Sequence, residues 1–211
     1  MKKIIVFGAT GGTGKQFVEQ ALKARHWVTA VLRNPDALTL EDPQFKIIKG
    51  DVFQPATFEN AVKVVDVIVS CLGAKAGQRT NVYSVGVSNI VSAMQKAGVS
   101  RIICISAGAV IVPPKSSFIM KFVVKNILQR IFKEMYADML RMEKFLAESN
   151  LNWTVIRAPR LTNSKRRGKY RAVINDFLSN PYSISRADLA DYIVTHLSDE
   201  KTFKARVEVS Y

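Results

Sequence analysis

The residues best equipped for chemistry lie in one stretch near the N-terminus, Gly8-Ala9-Thr10-Gly11-Gly12-Thr13-Gly14-Lys15, directly after the apolar run Lys3-Ile4-Ile5-Val6-Phe7. The lysine invites comparison with a nucleoside triphosphate loop. That loop requires a glycine, four residues and then Gly-Lys-Ser/Thr, whereas here the residue five before Gly14 is Ala9 and the residue after Lys15 is Gln16. What is left is Gly8-x-x-Gly11-x-x-Gly14 between a short strand and a helix whose apolar residues Phe17, Val18, Ala21 and Leu22 recur at helical spacing. Gly8 lets the chain turn sharply off the strand, Gly11 lets backbone N–H groups approach a pyrophosphate, and Gly14 lets the helix pack on the sheet. Unpaired N–H groups and the helix dipole then favour an anion at the helix N-terminus. Gly8, Thr10, Gly11, Gly12, Thr13 and Gly14 are therefore the expected dinucleotide cradle, the alternative being a tight turn with no ligand.

The elements that must position this turn are legible as alternating apolar runs and helical patterns. The pattern predicts strands over 2–7, 27–32, 45–49, 65–70, 100–106, 152–157 and 205–210, and helices over 13–25, 55–62, 80–97 and 186–198, with further helices within 117–148. Runs such as Val64-Val65-Asp66-Val67-Ile68-Val69 and Arg101-Ile102-Ile103-Cys104-Ile105 suit parallel strands buried on both faces. The expected fold class is α/β: a Rossmann-type doubly wound, mainly parallel sheet with helices on both faces and right-handed crossovers, in one domain over 1–211.

Ligands of such sheets bind beyond the carboxyl ends of the strands, so functional residues are sought there. After the second strand stands Arg33, where a protein holding the ribose 2′-OH of NAD usually presents an acid; an arginine suits a 2′-phosphate, or is a solvated surface residue. After the third come Asp51 and Val52, an expected adenine contact, although Asp51 could equally cap a helix. After the fourth, Cys71, Leu72 and Gly73 form a small-residue loop along which a cofactor can pass. After the fifth, Ser106 and Ala107 place a hydroxyl where a nicotinamide ring should lie, with no neighbouring base visible to make the serine a nucleophile.

These segments, with Ala147-Glu148-Ser149-Asn150-Leu151-Asn152-Trp153-Thr154-Val155-Ile156-Arg157-Ala158-Pro159 and Ile184-Ser185-Arg186-Ala187-Asp188-Leu189-Ala190, resemble the atypical short-chain dehydrogenases of the NAD(P)-binding, NmrA-like group. They are most similar to its biliverdin reductase B/flavin reductase branch, over nearly the whole chain. The resemblance implies NADP(H) as cofactor, Pro159 among its contacts, and Ser106 and Arg160 as the catalytic pair. Position 160 is often histidine in that branch, and an arginine stays protonated and donates hydrogen bonds rather than protons. The Tyr-x-x-x-Lys pair of ordinary short-chain dehydrogenases is absent: four residues after each tyrosine stand Val87, Leu140, Ile174, Arg186 and His196, and Tyr211 ends the chain. Direct hydride transfer to a conjugated acceptor asks mainly for proximity and orientation. The expected function is NADPH-dependent reduction of a planar conjugated acceptor such as a flavin, quinone or tetrapyrrole. An NADP(H)-binding regulatory protein with little turnover is the main alternative, and a basic scaffold for nucleic acid or membrane the third.

Composition sets the remaining bounds. Only four apolar residues follow Met1-Lys2-Lys3 before the glycines, and no stretch approaches the about 18 uncharged apolar residues of a membrane span, so a cytoplasmic location is expected. Cys71 and Cys104 fit no metal spacing, His26 and His196 are isolated, and no metal is expected. The net charge is +14, and two acid-free segments hold most of the excess: five basic residues from Lys115 to Lys133 and six from Arg160 to Arg171. Positive charge near the site would attract an anionic or conjugated small-molecule acceptor. Regions of about 110–135 and 160–185 are expected to cover the substrate, with Pro113-Pro114 stopping any regular element from running in. Within 117–133, Lys121, Lys125, Gln129 and Lys133 recur every four residues beside a wide apolar face. That helix is expected to pack over the cleft, or to lie on a membrane or a second copy. Aromatic residues are scarcely interleaved with the basic ones around Lys165–Arg171, which argues against nucleic acid.

Overall fold

The computed structural model describes residues 1–74, 79–112 and 114–211; Pro113 lies outside them. The first half alternates strand and helix: β1 (Lys3–Phe7), α1 (Gly12–Lys23), β2 (Trp27–Leu32), β3 (Phe45–Lys49), α2 (Glu59–Val62), β4 (Val67–Ser70), α3 (Ser84–Ala97) and β5 (Arg101–Ala107). A helical excursion follows, with α4 (Phe118–Val123), a π-helical turn at Val124–Leu128, α5 (Gln129–Ile131) and α6 (Lys133–Ala147). The last part comprises β6 (Asn152–Ala158), β7 (Arg160–Thr162), β8 (Arg171–Ile174), β9 (Ser183–Ser185), α7 (Arg186–Thr195) and β10 (Ala205–Ser210).

Eight strands form one sheet in the order β3-β2-β1-β4-β5-β6-β10-β8, all parallel except β8, which runs antiparallel to β10. The fold is the expected Rossmann type. Successive side chains of each strand point to opposite faces, and both are apolar because both are covered. On one face α1 and α7 lay Phe17, Val18, Leu22, Leu189 and Ile193 against Ile4, Val6, Val28 and Ile103. On the other, α3 and α6 bring Ile90, Met94, Met142 and Leu146 against Ile5, Phe7, Ile68 and Ile102. Each of these large side chains contributes about 1.5–3 kcal/mol by burial, so the two layers fix the sheet firmly. Arg101, at the start of β5, is buried as well, its guanidinium donating to the carbonyls of Leu197, Asn152 and His196 and to the hydroxyls of Thr154 and Thr202.

The structure departs from the sequence reading mainly in the second half. β7, β8 and β9 were not expected: β8 is short and mostly exposed, and among the described residues β7 pairs only with β9, in a separate two-stranded sheet. The helix expected over 55–62 is a 3₁₀ turn at Pro55–Thr57 followed by α2. Nor is the lysine-bearing helix regular, because the π turn takes in an additional residue.

Candidate functional site

The order of the sheet reverses at β1: the chain runs outward through β2 and β3, then returns to place β4 on the other side of β1. The crevice at such a reversal is where doubly wound sheets bind nucleotides. The glycine turn stands on it. Gly8 has φ +78, and a Cβ there would sit 2.3 Å from the Cys71 carbonyl oxygen, so only glycine lets the turn pass this close to the loop after β4. A Cβ at Gly14 would lie 2.2 Å from the Gly8 carbonyl oxygen, which is how closely α1 packs under its own entry strand. Gly11 differs: its backbone is extended, with φ −72 and ψ 159, and a Cβ there would meet only the Gly8 oxygen, at 3.3 Å. Gly11 is the N-cap of α1, no side chain caps that helix, and its first turn holds no acid. Thr10, Gly11 and Gly12 are exposed there, while Thr13 is buried. A helix start with no side-chain cap and no competing carboxylate fits a dinucleotide pyrophosphate.

One cation near this turn has no counterpart in the sequence reading. The Arg186 side chain crosses Gly12, whose Cβ would come within 2.6 Å of the Arg186 Cδ, and its Nη1 donates to Asn163 Oδ1 at 2.7 Å. The only signal was the segment Ile184–Ala190, which gave Arg186 no role. Ser185 caps α7 by accepting from the Asp188 N–H, which fixes where Arg186 emerges.

The loops after β3 and β4 are brought together by α3. Gly86 lies against Val52 and Leu72, where a Cβ would meet Val52 Cγ2 at 3.1 Å and Leu72 Cδ1 at 3.4 Å, and Asn89 Nδ2 donates to the Val52 carbonyl at 2.8 Å. Asp51 caps no helix: its Oδ1 accepts from the Phe53 N–H at 2.9 Å, and its own N–H donates to Thr57 Oγ1. Cys71 is buried and burial pushes its thiol up to about 12, which leaves it unreactive at neutral pH. Gly73 and Arg33 are exposed, Arg33 immediately after β2.

Ser106 stands at the carboxyl end of β5, and the absence of a neighbouring base is corrected by the structure. Its hydroxyl donates to Glu143 Oε1 at 2.8 Å, the carboxylate arriving from α6, an element whose helical period gave no hint of which strand residue it would meet. Glu143 also accepts from Arg157 Nη2 at 2.6 Å and from Arg206 Nε at 3.1 Å. Ser106, Glu143 and Arg157 are all buried. Ala107 and Pro159 are half-buried, and Arg160 is exposed at the start of β7. Glu143, Arg157, Arg206 and Glu208 help to line a cavity of about 720 Å³, as do Ile111, Leu140 and Phe177. Burial holds the Glu208 carboxyl above the usual carboxylate range.

The second basic segment is partly engaged in structure. Arg166 pairs with Asp191 at 2.7 Å, Arg171 donates to the carbonyls of Ser179 and Tyr211, and Arg167 lies 4.6 Å over the Tyr211 ring.

The pattern of the NAD(P)H-binding family matches residues 8–200, from the first glycine of the turn almost to the last strand. The chain belongs to the NAD(P)H-binding family. Among curated relatives of this family member, the photosystem II assembly factor Ycf39 of Synechocystis is 27% identical over 158 residues, which is 73% of this chain and 43% of that protein. The chain thus spans less than half the length of that relative. An uncharacterized chloroplastic protein of Arabidopsis thaliana is 28% identical over an alignment of 229 residues covering 99% of this chain and 76% of that protein. Among solved structures, the anaerobilin reductase ChuY of Escherichia coli O157:H7 superposes with a TM-score of 0.81 at 21% identity, covering 99% of this chain and 96% of that one. A Rossmann-fold NAD(P)-binding protein of Shigella flexneri superposes with a TM-score of 0.76 at 20% identity, covering 100% and 93%.

Proposed function

We propose that this NAD(P)H-binding protein is an NADPH-dependent reductase of a planar conjugated small molecule, such as a flavin, quinone or tetrapyrrole. The observation that carries the reading is the uncapped, acid-free N-terminus of α1 at the β1/β4 reversal, fixed by two glycines that no other residue can replace, Gly8 against Cys71 and Gly14 against the Gly8 carbonyl. The bound cofactor supplies hydride. Around it, Gly12 and Thr13 offer N–H groups to its phosphates, with Arg186 adding positive charge beside Gly12, while the Gly11 N–H donates to the Gly8 carbonyl. Val52 and Leu72, gathered on Gly86, form an apolar rim for the adenine side, and Arg33 binds the 2′-phosphate. Ser106 and Arg160 orient the reactants, the serine held by Glu143. The acceptor occupies the cavity beside that carboxylate, whose lining combines Ile111, Leu140 and Phe177 with Arg157 and Arg206; its volume is in the range of small-molecule sites.

Oxidation of NADPH with a panel of FMN, quinones and biliverdin tests the reading, and at least one acceptor should be turned over. Binding of NADPH without turnover of any would instead favour a regulatory, cofactor-sensing protein. The Ser106 hydroxyl, which points onto Glu143 inside the molecule rather than to solvent, is the feature that speaks for that second reading. For the cofactor, Arg33→Ala should weaken NADPH binding roughly tenfold to a hundredfold and leave NADH binding unchanged, as for the loss of one charged hydrogen bond. Equal affinities of the wild type for both cofactors in a titration would rule out the role given to Arg33.

A further inference from the structure

The segment from Lys115 to Lys133 does not bury the apolar face that its sequence carries. Phe118 is 83% exposed, Ile119 75%, Phe122 55%, Ile127 44% and Ile131 55%. The π turn explains why these residues stay on one side. Phe118, Phe122, Ile127 and Ile131 are separated by four, five and four residues, and the wider spacing falls where the helix takes up its additional residue. A regular helix would have carried Ile127 away from Phe122. Val124 is buried on the opposite side and Gln129 donates to the carbonyls of Ala109 and Val110, so the rod is fixed to the protein with its apolar side outward.

The charge along this segment has one sign. Lys115, Lys121, Lys125, Arg130 and Lys133 accompany it, with no acid before Glu134; of these, Lys115 meets Asp176 at 2.6 Å. A two-fold contact between copies of the chain would set these like charges against one another on molecules that each carry +14. An anionic surface into which Phe and Ile can dip satisfies both halves of the patch, because apolar burial and attraction to acidic headgroups add in interfacial helices. We propose that the exposed side of residues 117–131 docks on an anionic lipid bilayer. The segment leaves the sheet at the carboxyl end of β5. That edge of the sheet also carries the glycine turn.

Co-sedimentation with vesicles tests this without reference to turnover. At low ionic strength the protein should pellet with phosphatidylcholine vesicles containing phosphatidylglycerol and stay in solution with phosphatidylcholine alone, and added salt should weaken the binding. The double variant Phe118→Asp/Ile119→Asp changes two side chains that lie in water and should fold as the wild type by circular dichroism. It should bind the anionic vesicles about tenfold more weakly or less. Binding unaffected by that double substitution, or no binding to the anionic vesicles, would overturn the proposal. So would sedimentation velocity showing a dimer that the variant abolishes while vesicles go unbound, since the occupant would then be a second copy.

Discussion

Among individual residues, Glu143 carries the most consequence. It is a buried carboxylate facing two guanidinium groups and one hydroxyl, and the magnitudes separate the roles of its partners. Removing the charge in Glu143→Gln leaves Arg157 without its counter-ion in the interior, which costs about 3–5 kcal/mol, a large part of the stability of an ordinary domain. Ser106→Ala removes only one hydrogen bond and should cost about 1–2 kcal/mol. Urea unfolding of the two variants should show this difference, and equal losses would mean that the serine, not the ion pair, organises the cluster. If the hydroxyl also orients the reactants, Ser106→Ala should slow NADPH oxidation by about tenfold to a hundredfold in stopped flow with cofactor affinity little changed. An unaltered rate would remove Ser106 from the site.

At the level of elements, the glycine turn and the helix it opens respond differently to substitution along their length. Gly14→Ala drives a methyl into backbone, so α1 has to move off its strand; a loss on the order of 3 kcal/mol is expected, with cofactor binding weakened as a consequence. Gly11→Val adds a side chain at an exposed position whose extended backbone suits it, so the melting temperature should hold while NADPH binding is lost. Thermal melts beside cofactor titrations separate the two, and a Gly11→Val protein with unchanged affinity would make the turn structural only. This much of the molecule was legible because parallel strands buried on both faces leave continuous apolar runs, and because the turn needs glycine at fixed offsets: β2, β3 and β10 have the limits that the sequence predicts. β7, β8 and β9 were not, since each is three or four residues long and β8 lies beside the basic run that reads as loop. Glu143, Arg206 and Arg186 escaped for another reason. They reach their partners across distances in the chain that no local period records: Arg206 lies 63 residues from the carboxylate it meets.

At the scale of the whole molecule, two buried acids make stability depend on pH in opposite senses. Asp188 would be raised by burial, but hydrogen bonds from the Tyr211 and Ser185 hydroxyls and the Gly168 and Arg167 N–H groups hold it below its ordinary value. Its contribution is present above the unfolded-state pKa and is lost as pH falls through the folded one. Glu208 is raised by burial, so its contribution is present in acid and is lost as pH rises from the unfolded pKa through the folded one. Glu208→Gln, which keeps an acceptor for the Leu178 N–H, should therefore raise the melting temperature at pH 7 by about 1–3 °C and lose that advantage near pH 4. A variant less stable at pH 7 than the wild type would show that the charge of Glu208 is needed by Arg157. The placement of β8 makes one strand pairing a hinge point of the molecule. Among the described residues its only sheet neighbour is β10, so β8 is joined to the rest of the sheet solely through the β10–β6 pairing. Separation of β10 from β6 would therefore free two strands of the sheet at once, and with β8 the attachment of the excursion between β6 and α7 to the main sheet.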